Sequence, residues 1–60
     1  MITIAFFLSV DGGKPRTEEH IMPVVPYVGT TFVNRDGWEF TVTEIRFHAN
    51  GHVTVTAEAQ

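Results

Sequence analysis

The 60-residue sequence contains no cysteine, only four basic residues and no apolar run long enough to cross a bilayer. The lack of cysteine excludes disulfide bonds and thiolate metal sites, and it fits a reducing compartment. Seven acidic residues outnumber the four basic ones, which are scattered along the chain. Because nucleic-acid affinity depends on neutralising phosphates, this balance argues against duplex binding, and it argues equally against an anionic membrane surface.

The length of the chain sets a second limit. Sixty residues form one domain, residues 1–60, which buries only about 60% of the surface that its unfolded chain exposes. Since disulfides cannot add stability, the choice lies between folding alone and association with another protein or a second copy. The apolar segment 1–10 lacks a basic N-terminal region and is short for a secretory core, so we expect a complete cytoplasmic protein.

What the sequence does contain is an alternation of apolar and polar residues with a period of two, which is typical of half-buried strands. In the first segment the apolar face consists of Ile2, Ile4, Phe6, Leu8 and Val10. Phe7 lies on the opposite face, where a polar residue is expected. A Gly12–Gly13 loop pairs Ile4 with Ile21 on a second strand of about residues 16–24, whose polar start suits an exposed edge. A helix is the alternative here, but two following prolines leave it too little length.

The best-defined hairpin turns at Asn34–Gly37, beside the single tryptophan. A three-residue loop pairs Phe32 with Phe40, whereas a two-residue loop sends Phe32 to the face opposite the other aromatic residues. The sequence therefore favours the three-residue loop. Beyond Val42 the apolar positions change from even to odd numbers, which predicts a bulge or a sharp bend near residues 43–44.

The last hairpin is predicted from its apolar pairs in the same way. A three-residue loop pairs Ile45 with Val55 and Phe47 with Val53, a match that a two-residue loop loses. Ile45 and Phe47 then turn to the core, together with Ala57. The predicted fold class is all-β, with five antiparallel strands in meander order that form a small barrel or a strongly bent sheet.

A motif in the second half of the chain resembles the SH3-like small β-barrels of many short bacterial and phage proteins. The motif reads Pro26-x-x-Gly29…Phe32…Gly37-x-x-Phe40-x-Val42-x-x-Ile45. The resemblance spans about residues 25–57, although Thr30 stands where such families usually have aspartate. It implies a five-stranded SH3-like architecture and a phage or bacterial neighbourhood. It transfers no functional residue, because the acidic loop and aromatic groove of the peptide-binding signalling type are not recognisable.

Two groups of titratable residues are candidates for chemistry. His48 and His52 face each other across the last hairpin and could hold a transition metal with Glu44, but Arg46 lies between them and opposes a cation. Two solvated turn histidines are the favoured interpretation. The segment Glu18–His20 offers acid–base groups, but an exposed edge provides no enclosed pocket for catalysis. We therefore expect a protein that is not an enzyme and needs neither cofactor nor metal.

Large side chains outside the predicted core are the remaining candidates for function. They are Phe7, Tyr27 and Trp38, together with Arg35. Three hypotheses compete: the rings fill a second mini-core, they form an interface with another protein or a second copy, or they stack on single-stranded nucleic acid. The function we expect is a small protein-interaction module, encoded by a phage or mobile element, that binds or inhibits a host protein or forms a homodimer. A single-stranded nucleic-acid binder is the alternative.

Overall fold

The computed structural model describes residues 1–10 and 13–59, and these form one strongly curled sheet of five strands. The strands are β1 (Ile2–Ser9), β2 (Arg16–Met22), β3 (Thr31–Val33), β4 (Glu39–Phe47) and β5 (Val53–Ala59). Side by side they follow the order β2-β1-β5-β4-β3, and the sheet rolls into a half-barrel. The predicted all-β class and the bent sheet are confirmed. The described residues contain no helix that is long and apolar enough to cross a membrane.

At the centre of the sheet β1 and β5 are parallel neighbours, with Ile4 opposite Val53 and Ser9 opposite Glu58. The remaining pairings are antiparallel, so the sheet is mixed and the predicted purely antiparallel meander is wrong. The arrangement follows from burial, because β1 and β5 alternate buried apolar residues with less buried ones, whereas β2 is largely polar. The most apolar strands gain most from a central position, and the polar strand becomes an edge.

The core lies on the concave side of the sheet and consists of alternate residues of the three central strands. Its buried members are Ile4, Phe6, Leu8, Phe40, Val42, Val53, Val55 and Ala57. Alternation in the sequence therefore identified the core faces of these strands. Phe47 is the exception, because its side chain is 73% exposed. The prediction that Phe47 turns to the core is wrong: as the last residue of β4, it projects beyond the core towards the final loop.

The β3–β4 and β4–β5 hairpins have the predicted registers. Phe32 lies opposite Phe40, and Ile45 lies opposite Val55. The glycine that ends the β3–β4 loop, Gly37, has a φ of 86°, which an L-residue rarely adopts. Apolar pairing and a left-handed glycine together were enough to fix these two registers from the sequence.

The predicted bulge in β4 is also present. The pairing of β4 with β5 shifts between Val42 and Glu44. Before the shift Phe40 and Val42 are buried, and after it the half-buried residue is Ile45. The extra residue therefore lets one long strand turn first its even and then its odd side chains to the curled core.

The β1–β2 hairpin differs from its predicted register by one residue. Ile4 lies opposite His20 and not opposite Ile21. The predicted Gly12–Gly13 loop is thus one residue too short, although Gly12 itself lies outside the described residues. The predicted second strand is present and ends at residue 22, two residues earlier than expected.

This one-residue difference decides which side chains of β2 face the inside of the half-barrel. Glu18, His20 and Met22 are half-buried on the concave side, and Ile21 is 66% exposed on the other. The predicted register is wrong because it depends on a two-residue Gly12–Gly13 loop, and a shift of one residue exchanges the two faces of a strand. In the folded chain Glu18 and His20 have polar and aromatic partners on the concave side.

Candidate functional site: a cleft beside the free edge of β2

The open side of the half-barrel, between β2 and the turn that joins β3 to β4, forms a cleft of about 310 Å³. This edge cleft is lined by Arg16, Glu18, Glu19, His20, Arg35 and Asp36. Within the described part of the chain no strand bridges the gap, since β2 and β3 are the two ends of the sheet. The edge cleft therefore lies where the fold leaves strand backbone and charged side chains accessible together.

A hydrogen-bonded pair on β2 forms the inner wall of the edge cleft. His20 Nε2 lies 2.9 Å from Glu18 Oε1, and these side chains are only 16% and 19% exposed. The Asn34 side-chain amide donates to Glu18 Oε2 at 3.4 Å. The hydrogen bond with His20 is the main cause that lowers the pKa of Glu18, and the Asn34 bond and the charges of His20 and Arg16 add to it against the opposing effect of burial. Glu18 is thus held as a carboxylate.

His20 also belongs to a cluster of three rings that connects the two ends of the sheet. Phe6 and Phe32 are stacked, with ring centroids 4.1 Å apart and planes at 17°. The His20 ring packs edge-on against Phe6 at 5.5 Å and lies 5.4 Å from the Phe32 ring. Because His20 belongs to β2 and Phe32 to β3, side-chain contact spans the gap between strands that are not neighbours in the sheet.

Asn34 fixes the opposite wall of the edge cleft. Its side chain is buried, and its Oδ1 accepts hydrogen bonds from the backbone N–H groups of Asp36 at 3.1 Å and Trp38 at 2.9 Å. An asparagine that binds the backbone two residues on is the usual stabiliser of a tight turn. The same side chain reaches Glu18, so it both shapes the β3–β4 turn and holds that turn against β2.

The mouth of the edge cleft has charges of both signs. Arg16 Nη2 lies 4.0 Å from Asp36 Oδ2, and both side chains are more than 60% exposed. Such an exposed ion pair contributes little to stability and leaves both groups able to exchange partners. Arg35 lines the same mouth from the turn. The mouth therefore suits a partner that itself has charges of both signs.

The hairpin loops and the β1–β2 register together show which backbone groups of β2 point towards β1. In the two later hairpins the residue before the loop donates its N–H to the residue after it, Asn34 to Trp38 at 3.0 Å and His48 to His52 at 2.9 Å. Both loops also have an internal hydrogen bond to their first carbonyl, at 3.0 and 2.9 Å. The β1–β2 loop has the equivalent internal bond, at 2.8 Å. In the β1–β2 ladder, the pair nearest to this loop is Leu8 opposite Arg16, at the start of β2.

The alternation of an antiparallel ladder then assigns the outer side of β2. Pro15 has no N–H to donate to β1, so Leu8 and Arg16 form a hydrogen-bonded pair, and the alternation makes the even-numbered residues of β2 point their N–H and C=O groups to β1. Thr17, Glu19 and Ile21 therefore point theirs to the free edge. Pro15, which has no N–H to donate, belongs to the same outward set and costs the hairpin no hydrogen bond.

The four predicted interaction residues belong to three segments of the chain, β1, the segment before β3 and the segment between β3 and β4. Phe7, on the convex face of β1, is 37% exposed; Tyr27, before β3, is 78% exposed; Trp38, after the β3–β4 turn, is 55% exposed. Arg35 lies in that turn and lines the edge cleft. Tyr27 and Trp38 are too exposed to fill a second mini-core, and no ring contact in the described part of the chain joins Phe7, Tyr27 and Trp38 to one another. That these residues bind a partner stays a prediction.

The two histidines of the last hairpin face each other as the register predicted, and both are exposed. His48 Nε2 lies 2.9 Å from Thr54 Oγ1. Glu44, the carboxylate considered as a third ligand, is paired with Arg46 at 3.0 Å. Nowhere in residues 1–10 and 13–59 do three His, Asp or Glu side chains converge in a way that could hold a metal ion.

Neither known relatives nor local sequence patterns point to the edge cleft. No protein-family model matches the chain, and no curated protein or solved structure matches it. The sequence identifies Glu18–His20 as a group of titratable residues but not its link to Asn34, which lies 16 positions from Glu18. Only the observed β1–β2 register turns Glu18 towards that asparagine.

Proposed function

We propose that this chain is a small protein-interaction module that accepts an extended segment of another protein along the free edge of β2. The observation that supports this most directly is the edge itself. β2 has seven residues, pairs with β1 on one side only, and borders the edge cleft on the other. Strand addition to such an edge is a common mode of peptide recognition, in which backbone hydrogen bonds give affinity and alternate side chains give specificity.

The side chains around the edge support the same function. Glu19 and Ile21 point their backbone groups to the free edge, and their side chains are exposed. An added strand therefore meets one charged and one apolar side chain in succession. Arg35 and Asp36 stand across the cleft and can contact the far side of that strand. Trp38 follows them in the chain and offers an exposed aromatic ring close to the turn.

The finer parts of the proposal depend on the sequence motif alone. They are an SH3-like barrel architecture and a phage or mobile-element origin, whereas the proposed cytoplasmic location depends on the lack of cysteine and of a basic N-terminal region. In that setting the partner is a host protein, and the mechanism is steric, because a strand held on β2 is withheld from its own interactions. Phe7 and Tyr27 do not line the edge cleft, so they are not assigned to this contact.

Selection of random extended peptides against the immobilised protein tests the proposal. Peptides that bind should protect the backbone amides of Thr17, Glu19 and Ile21 from hydrogen exchange. Thr17→Pro removes one outward N–H without removing a bond to β1, so it should weaken binding about tenfold. Thr17→Val is the matched control, because it changes the side chain and keeps the N–H.

Two outcomes contradict strand addition at β2. One is that selected peptides protect amides elsewhere, and the other is that Thr17→Pro and Thr17→Val bind them equally well. A titration with single-stranded oligonucleotides, read by Trp38 fluorescence, examines the alternative function. Salt-sensitive quenching of Trp38 would support the alternative function, in which aromatic rings stack on the bases of a single-stranded nucleic acid.

A further inference from the structure

We infer that the strand received by β2 is β2 of a second copy, paired antiparallel about Thr17. The inference rests on the proposed function, since it uses the same free edge, and it names the partner. It begins from the order of charges along this edge. Lys14 and Arg16 precede Thr17, and Glu18 and Glu19 follow it. In an antiparallel pair with its two-fold axis at Thr17, the basic half of each strand lies opposite the acidic half of the other.

The individual pairs in this register are favourable. Arg16 of one copy lies opposite Glu18 of the second copy, and the symmetry repeats the pair. Directly opposed residues of antiparallel strands have Cβ atoms about 5 Å apart, within reach of an ion pair. Lys14 lies diagonally from the same Glu18. Arg16 can turn to this partner because its present contact with Asp36 is exposed and 4.0 Å long.

Other symmetric registers place like groups opposite each other. An axis at Glu18 opposes the two copies of Glu18, and an axis at Glu19 opposes the two copies of Glu19. Like charges directly across a ladder are destabilising. An axis at His20 opposes two histidines and leaves Arg16 without an acidic partner. Of these four registers, only the one with its axis at Thr17 places opposite charges across from each other and no like charges.

The backbone of the edge agrees with the Thr17 register. Thr17 belongs to the outward set, so the two copies of Thr17 can exchange two N–H···O=C bonds at the axis. On each side the N–H of Glu19 meets the carbonyl of Pro15. Proline there accepts without donating, and its missing N–H removes only one bond per side. Beyond residue 15 the strand leaves the ladder, which limits the pair to a short contact and a weak dimer.

A mixing experiment tests the register directly. In a homodimer of the Arg16→Glu variant, both symmetric pairs consist of two carboxylates, and in a homodimer of Glu18→Lys both consist of two cations. Each variant should therefore dimerise about tenfold more weakly than the wild type, or more weakly still. Mixing the two variants restores opposite charges at both pairs. Sedimentation velocity of each variant, of the mixture and of the wild type measures the dissociation constants. We expect the mixture to form a heterodimer with an affinity near that of the wild-type homodimer.

A second pair of variants guards against misfolding, because Glu18 also bonds His20 and Asn34. Thr17→Pro should abolish the dimer, and Thr17→Val should keep it. The inference is overturned if the wild type stays monomeric up to millimolar concentration, if well-folded charge variants fail to recover on mixing, or if Thr17→Pro still dimerises. If the wild type is monomeric but its β2 edge still binds selected peptides, the inference that the partner is a second copy is overturned and the proposed function stands. A monomer that binds no peptide at this edge overturns both.

Discussion

Phe6 and Phe32 stack face to face with their centroids 4.1 Å apart, although their strands are separated in the sheet by β5 and β4. Phe6 is fully buried on β1, and Phe32 belongs to the short edge strand β3. The stack therefore joins the middle of the sheet to one of its ends and sets how tightly the sheet curls. With the His20 ring it replaces the ladder that would close a complete barrel.

Replacing Phe32 by leucine should destabilise the protein by about 1 kcal/mol, because the stack is lost while most of the apolar volume remains. Urea unfolding followed by Trp38 fluorescence measures the change in the free energy of unfolding. Phe47→Leu is the matched control, since Phe47 is 73% exposed and packs little. Equal effects of the two substitutions would show that the stack does not stabilise the curl.

Asn34→Ala should destabilise the protein by about 1–3 kcal/mol, because it leaves two backbone N–H groups of the turn without their acceptor and removes the hydrogen bond to Glu18 Oε2. Thermal unfolding at neutral pH measures the loss. Asn50→Ala is a suitable comparison, because Asn50 also accepts a backbone hydrogen bond in a hairpin loop, from His52 at 3.1 Å, but is exposed. A loss at Asn34 no greater than that at Asn50 would mean that the link to β2 contributes nothing.

Glu18 should make the free energy of unfolding depend on pH in the acidic range. Its pKa is lowered in the folded chain, chiefly by the hydrogen bond with His20, so the unfolded chain binds the proton more readily. This contribution is present above the ordinary glutamate pKa and is lost as the pH falls through the lower folded pKa. Glu18→Gln should therefore flatten the fall in stability across this acidic range.

Urea unfolding at a series of pH values, from neutral to below the glutamate range, measures this dependence. Glu58→Gln controls for the loss of one negative charge, because it changes the net charge equally at an exposed position of β5. If Glu18→Gln keeps the wild-type profile, the cluster of Glu18, His20 and Asn34 is not the source of the acid sensitivity.

Gly37→Ala should cost about 1–2 kcal/mol of stability, because Gly37 has a φ of 86°. A residue with a Cβ is strained in this backbone conformation even where there is room for the added atom. No heavy atom lies within 4 Å of the added Cβ, so steric crowding is not the cause. Gly37→Asn should cost less, since asparagine tolerates the left-handed region better. Thermal unfolding of both variants separates them, and an equal loss would point to some other role for this glycine.

The parts of the fold that could be predicted are those decided by neighbouring residues. Phe32 with Phe40 and Ile45 with Val55 pair across short loops, so a single apolar match selects each register. The parallel pairing of β1 with β5 joins segments that are distant in the chain, and no local pattern announces it. Sequence alternation shows that both strands are apolar on one face, but not that they are neighbours.

The candidate site was harder to predict for a related reason. The interior position of His20 depends on rings from β1 and β3, and the position of Glu18 depends on Asn34 in a later turn. Considered alone, a polar strand looks like a solvated edge. The exposed aromatic residues were found from the sequence, but their lack of contact with one another was not, because alternation gives the face of a side chain and not its neighbours.

The position of β5 has a consequence for how the protein is made. The strand that sits beside β1 is the last of the five to leave the ribosome, after both outer hairpins have already been synthesised. Until it arrives, β1 exposes an unpaired side at what will become the middle of the sheet, and the nascent chain has two half-structures that cannot join. Folding of this sheet should therefore wait until β5 has been synthesised, and chaperones that shield apolar strands would act on the chain in that interval.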